Sequence, residues 1–234
     1  MYRIGYDAKR LFNNFTGLGN YSRTLLRNLA AYYPDEEYFL YTPTIKRHDQ
    51  TRYFLDSPMF NVHTPSGMQR LLWRSRGVVN DMARHEVELY HGLSHEIPQG
   101  LGKKGIPAVV TIHDLIFKHY PEQYRWWDRQ VYDYKFRYAC EQSQYVIAIS
   151  ESTKQDVMAF YGIPEEKIRV VYQSCHEGFM VKKPLKTQEA VITKYGLPPD
   201  FFLYVGSLIP RKTCWGLWRH SIYCLPTCNC PWWW

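Results

Sequence analysis

Residues 107–150 read PAVVTIHDLIFKHYPEQYRWWDRQVYDYKFRYACEQSQYVIAIS. Two short apolar runs, Pro107 to His113 and Tyr145 to Ser150, flank a long aromatic segment, Gln123 to Gln142, that reads as a helix. A strand covered on both faces needs apolar side chains at consecutive positions, because both of its rows meet another layer. Strand, helix and strand in that order form the repeating unit of a parallel sheet.

The alternation extends to both sides. Upstream, Tyr2 to Asp7 is a first strand, and Tyr21, Leu25 and Leu29 have helical spacing. Glu37 to Thr42 reads as a strand ended by Pro43, and Met59 to Thr64 as a shorter one. Gly67 to Ala83 is expected to be a helix with Met68, Leu71, Leu72 and Val79 inward, and Val87 to His91 a strand. Downstream, Ser152 and Gln155 have the spacing of a capping box, which predicts a helix running to Gly162 with Pro164 beyond it. Ile168 to Tyr172 is a further strand. Phe201 to Ser207 reads as the opening strand of a second domain, followed by an anion-binding loop at Pro210-Arg211-Lys212. The expected fold class is α/β, a doubly wound parallel sheet followed by a second domain only begun.

From Thr213 the character changes. Cys214, Cys224, Cys228 and Cys230 crowd a tail ending in Pro231 and three tryptophans, no Asp or Glu occurs after Asp200, and no amphipathic period is present. A shifted reading frame accounts for that composition, and the expectation is of a chain whose second domain is truncated and which has little or no activity of its own. Cys140 and Cys175 stand apart and are expected reduced and part-buried. The tail cysteines lack the paired spacing of a zinc knuckle.

Charged residues make up 22% of the 234 positions and mean hydropathy is −0.44, with no apolar run near the length of a membrane span. Met1 to Asp7 has no long apolar stretch and is no secretory signal. These features predict a cytoplasmic protein. The net charge of +7 is dispersed, its tightest clusters being Lys182-Lys183 and Arg211-Lys212, which argues against a nucleic-acid footprint.

Ligands of doubly wound sheets bind at the carboxyl ends of the strands, and three loops there carry chemistry. Thr16-Gly17-Leu18-Gly19-Asn20 lets backbone amides approach an anion at a helix start, or is simply a mobile turn. It is not a dinucleotide fingerprint: Gly17 lies ten residues beyond Asp7, and Ser22 stands where a third glycine belongs. A nicotinamide oxidoreductase is disfavoured accordingly. His113 and Asp114 emerge from a buried strand, as a functional pair or as strand-end hydrogen-bonders. Ser150 and Glu151 open a helix, as site residues or as a cap. His91 and His95 need not converge on a metal.

Asp7, Thr16 to Tyr21 with Leu25 to Leu29, Tyr90-His91-Gly92, His113-Asp114, Ala148 to Ser152 and Tyr204 to Lys212, taken in order, resemble the bacterial family-4 glycosyltransferases of the GT-B fold, often labelled group 1. The resemblance covers Met1 to Lys212. It implies two Rossmann-like domains across a cleft, the first on the acceptor side and the second binding a nucleotide sugar. Residues 1–173 then correspond to the acceptor-side domain, 174–188 to a linker, 189–212 to the start of the donor domain and 213–234 to an aberrant tail. The resemblance assigns Gly17 and Gly19 to the donor diphosphate, His113 to the transferred sugar, and Arg211 and Lys212 to the leaving group. It further implies a retaining hexosyltransferase, with mannose a common sugar of the family, that uses a GDP- or UDP-linked donor and no cofactor or metal. The implied acceptor is a glycan or lipid-linked acceptor, in polysaccharide or lipopolysaccharide synthesis at the inner membrane face. A carboxylate pair that the family carries downstream has no counterpart in the chain. The alternative is a noncatalytic domain that binds a glycan or a partner.

Overall fold

The computed structural model describes residues 1–65, 72–175, 177–198 and 201, and the chain divides into two compact units, Met1–His176 and Glu177–Trp234. The first is built on seven strands: β1 (Arg3–Asp7), β2 (Glu37–Tyr41), β3 (Phe60–His63), β4 (Leu89–Gly92), β5 (Ala108–Ile112), β6 (Tyr145–Ala148) and β7 (Ile168–Val170). All pair in parallel, in the order β3-β2-β1-β4-β5-β6-β7. The chain winds outward from β1 to β3, then restarts beside β1 at β4 and winds the other way. That reversal opens a crevice at the carboxyl ends of β1 and β4, where adjacent connections leave to opposite faces.

The faces are covered as the apolar runs require. Alternate side chains of β2 point to opposite sides, so Tyr38 and Leu40 enter one core and Phe39 and Tyr41 the other. The first core is closed by helices α1 (Lys9–Asn13), α2 (Gly17–Tyr32) and α3 (Asp49–Asp56), through Leu11, Phe12, Leu26 and Phe54. The second lies under a π-helix (Trp73–Gly77), α4 (Val78–Arg84), α5 (Ile116–His119), α6 (Trp126–Gln142) and α7 (Glu151–Tyr161).

Several expectations are corrected. The helix expected over 67–83 falls partly outside the described residues, and Leu72 is 68% exposed rather than inward. The π turn is the cause: it holds more residues than an α turn and advances the buried stripe, which runs through Trp73, Val78, Val79 and Met82. Helices α1 and α3 occupy stretches to which the sequence pattern assigns no element. In α3 the cap is His48, whose Nδ1 accepts from the Gln50 amide while its own amide donates to Thr51 Oγ1, a pairing outside the usual Ser, Thr, Asp and Asn signals. Helix α7 begins two residues earlier than the capping box at Ser152 predicts. Its cap is Ser150, whose Oγ accepts from the Thr153 amide at 3.1 Å, while Ser152 is exposed. Its other end is as read, with Gly162 left-handed at φ 64°. Cys140 is buried and Cys175 exposed, both free.

In the second unit, helix α8 (Leu185–Tyr195) ends at left-handed Gly196 and begins inside the stretch 174–188 read as a linker. The strand expected at 201–207, apart from Phe201, and the tail at 213–234 lie outside the described residues.

The position of the α7 cap is testable. Ser150→Ala removes an acceptor from an otherwise unpaired amide and is expected to cost about 1 kcal/mol, whereas Ser152→Ala is expected to stay within about 0.5 kcal/mol of the parent. Urea denaturation of both variants decides it; the reverse order would return the cap to Ser152.

Candidate active site

The carboxyl end of the sheet is organised by a buried carboxylate. Asp7, the last residue of β1, is 2% exposed and is gripped by Arg74 of the π-helix through Nη2 at 2.5 Å and Nε at 3.3 Å. The Lys9 amide also donates to it at 3.1 Å. Burial pushes the carboxyl up, but the Arg74 charge and these hydrogen bonds outweigh it and hold Asp7 below the usual carboxylate range. The third guanidinium nitrogen of Arg74, Nη1, donates to Glu96, beyond β4, at 2.7 Å, and Lys135 of α6 reaches the same oxygen at 3.1 Å. Three further bonds tie this loop to its surroundings: the Gln99 amide donates to the Ser75 carbonyl, Arg76 to the Gln99 side chain, and Gln99 to the Tyr134 hydroxyl.

The loop so held turns tightly after β4. A Cβ on Gly92 would lie 2.2 Å from the Glu96 carbonyl oxygen, so only glycine fits. The turn presents the Leu93 carbonyl to His113, at the end of β5, whose Nε2 donates to it at 2.9 Å. Around the His113 ring lie Tyr21 of α2, edge-on at 4.7 Å between centroids, His95 at 5.2 Å, and Gln173, whose amide nitrogen stands 2.8 Å from Nδ1. Thr153 of α7 donates to the His113 carbonyl at 3.1 Å and fixes its backbone. Below, Thr111 Oγ1 meets both the Tyr21 hydroxyl and His91 Nε2. His95, left-handed at φ 64°, stacks flat on Phe136, and its buried Nδ1 makes no hydrogen bond among the described residues.

These imidazoles are kept neutral. Burial is the main cause at all three: it takes His91 down to about 4, His95 well below its ordinary value and His113 below it too. The nearby charge of Arg10 adds to the effect at His95 and His113, while at His113 the Leu93 bond and Asp114 work the other way.

The glycine segment is the first turn of α2 rather than a loop. Arg23, buried, donates to the Leu11 and Asn14 carbonyls and to Asn20 Oδ1, which pins the chain entering that turn. Asn14 Oδ1 accepts from the Thr16 and Gly19 amides. The two glycines therefore differ. A Cβ on Gly19 would fall 1.7 Å from the Asn14 carbonyl oxygen, so this glycine serves the fold and its amide is already occupied. A Cβ on Gly17 would meet nothing within 4 Å, so packing within the chain does not require glycine there. Gly17 opens a 16-residue helix whose amino end carries partial positive charge.

The structure thus sets the Tyr21 ring of α2 against His113, and α7 against the His113 backbone. Asp114 is exposed and accepts from the Ile116 amide at 3.3 Å as a turn residue. Ser150 spends its hydroxyl on the α7 cap, and Glu151 is exposed in the first turn. Arg211 and Lys212 lie outside the described residues. Arg74, Glu96 and Gln173 were missed by sequence reasoning; the one available signal was Asp7, a carboxylate closing a buried strand, which demands a cation without saying which.

A family model described as Glycosyltransferase Family 4 matches residues 15–174. No curated protein matches the chain. Among solved structures, Anabaena HepE in complex with UDP and glucose superposes with a TM-score of 0.66 at 16% identity, covering 96% of this chain and 58% of that one. The same protein in complex with UDP-glucose gives 0.60 at 15% identity, covering 86% and 51%. A glycosyltransferase from Rickettsia africae gives 0.53 at 14% identity, with 86% and 51% covered. The chain therefore spans little more than half the length of these structures, and at such identities the likeness is one of fold.

Two measurements probe this geometry. Gly19→Ala forces backbone apart and is expected to cost about 1–3 kcal/mol, while Gly17→Ala is expected to leave stability unchanged or slightly raised; equal losses would erase the distinction. The second concerns pH. His63, His85, His91, His95 and His113 all titrate below their ordinary value when folded, so the unfolded chain binds more protons in that window. Stability is full above about pH 6.5 and falls as pH drops toward about 4, His91 alone contributing on the order of 3 kcal/mol. Denaturant midpoints that match at pH 7.5 and pH 5 would contradict this.

Proposed function

Since the chain belongs to Glycosyltransferase Family 4, we propose that it moves a hexose from a nucleotide diphosphate to a glycan or lipid-linked acceptor, with His113 contacting the transferred sugar and with retention at the anomeric carbon. The observation that carries this is the setting of His113. It is a buried, neutral imidazole at the carboxyl end of a central strand, edge-on to the Tyr21 ring of α2, where doubly wound sheets hold their ligands. Departure of a nucleoside diphosphate develops negative charge, which fixed cations and helix amides stabilise more in the transition state than in the ground state. On this side of the site the positive end of α2 at Gly17 and the Arg10 charge near His113 are the groups suited to that task. Arg211 and Lys212 are proposed, on sequence alone, as the cations of the donor domain, in place of a metal. The expected setting is polysaccharide or lipopolysaccharide synthesis at the cytoplasmic membrane face. No helix among the described residues is long and apolar enough to cross a membrane.

The test is release of nucleoside diphosphate and formation of labelled product from UDP- and GDP-hexoses. UDP-glucose, present in a structure of the same fold, is the first donor to try. His113→Ala is expected to lower turnover about tenfold or more, about 1.4 kcal/mol, with melting behaviour retained. Parent-like turnover in the folded variant would remove His113 from the site. Glycan binding with no nucleotide release would assign the domain a noncatalytic role.

A further inference from the structure

We infer that the Leu93 carbonyl holds His113 as the neutral Nε2–H tautomer and that Gln173 is a positioning residue whose amide occupies Nδ1, so that the ring can meet a substrate only by accepting a hydrogen bond there from a hydroxyl. This rests on the placement of His113 against the sugar. A carbonyl oxygen carries no proton, so His113 Nε2 must be the donor in its 2.9 Å bond to Leu93. A neutral imidazole has a single N–H, which leaves Nδ1 with a lone pair. The Gln173 amide nitrogen, 2.8 Å away, donates to that lone pair. Were the Gln173 carbonyl turned to Nδ1 instead, the ring would have to carry both protons, which burial and the Arg10 charge oppose. Of the groups facing the ring, Arg10 of α1 and the rings of His91 and His95 disfavour a positive charge or carry none and Tyr21 presents a ring edge, while the Leu93 bond and Asp114 favour protonation without overcoming burial.

The two ring nitrogens are held differently. The Nε2 partner is rigid, because Leu93 lies in the turn that Gly92 permits and that Glu96 and Arg74 anchor. The Nδ1 partner is an exposed side chain three residues past the end of β7, and it can be exchanged. A sugar hydroxyl can replace the amide without any change in ring protonation, whereas a carbonyl or ether oxygen cannot.

Nitrogen-15 spectra of the histidine-labelled chain test this without any need for turnover, so loss of the transferase reading and loss of this inference are separable. The His113 signal is identified by its disappearance in His113→Asn or, should that variant not fold, by its contact with the Tyr21 ring. The expected parent pattern is protonated Nε2 and bare, hydrogen-bonded Nδ1, titrating below the ordinary histidine value. In Gln173→Ala the tautomer should persist, Nδ1 should move toward the position of a free lone pair, and the titration midpoint should rise by about half a pH unit or more. Gln173→Glu should raise it further, because a carboxylate favours the doubly protonated ring. A parent ring protonated at Nδ1, or a Gln173→Ala variant with Nδ1 and midpoint both unchanged, would overturn the inference.

Discussion

The buried contact between Asp7 and Arg74 is the constraint on which the rest of the site depends. A carboxylate removed from water must be compensated, and breaking such a pair leaves a charge whose cost is several kcal/mol. Arg74 therefore cannot leave the end of β1, and the π-helix that carries it cannot either. The extra residue of the π turn belongs with this requirement, since it lies where Arg74 reaches down to Asp7 while Trp73 and Val78 stay in the core. Through Glu96 the same guanidinium fixes the turn after β4, and through the Leu93 carbonyl that turn fixes one nitrogen of His113. A charge closing the first strand thus orients a ring closing the fifth.

The electrostatics of the site follow from burial more than from pairing. Among the described residues, three histidines cluster at the carboxyl ends of β4 and β5 with no carboxylate that overcomes their burial, and the Arg10 charge lies near His95 and His113. Neutral rings beside fixed positive charge suit a ligand that is polar at one end and anionic at the other. That is the charge distribution of the nucleotide sugar proposed as donor. The same features make the fold sensitive to mild acid, because each buried neutral ring must eventually accept a proton.

Much of this was legible in the sequence. Continuous apolar runs need cover on both faces, so the parallel sheet could be read from strands such as 108–112 and 145–148 alone. His113 could be picked out as a candidate because a polar ring closing such a strand must emerge at the ligand end. Helix α3 and the π turn could not be read, since a histidine cap and a change of helical pitch leave no periodic signal. Ser150 and Ser152 both satisfy a capping pattern, and only the folded chain places the cap at Ser150.

What the sequence determined by itself is therefore the layer architecture and the end of the sheet where chemistry belongs, because both follow from local periodicity and from the sidedness of parallel strands. The tertiary structure alone decided which Gly serves the fold and which is left free, which cation answers Asp7, and which proton His113 keeps. Arg74 lies 67 residues from Asp7 and Gln173 lies 60 from His113. Contacts at such separations are set by strand order and by the path of the connections, and no local pattern records them.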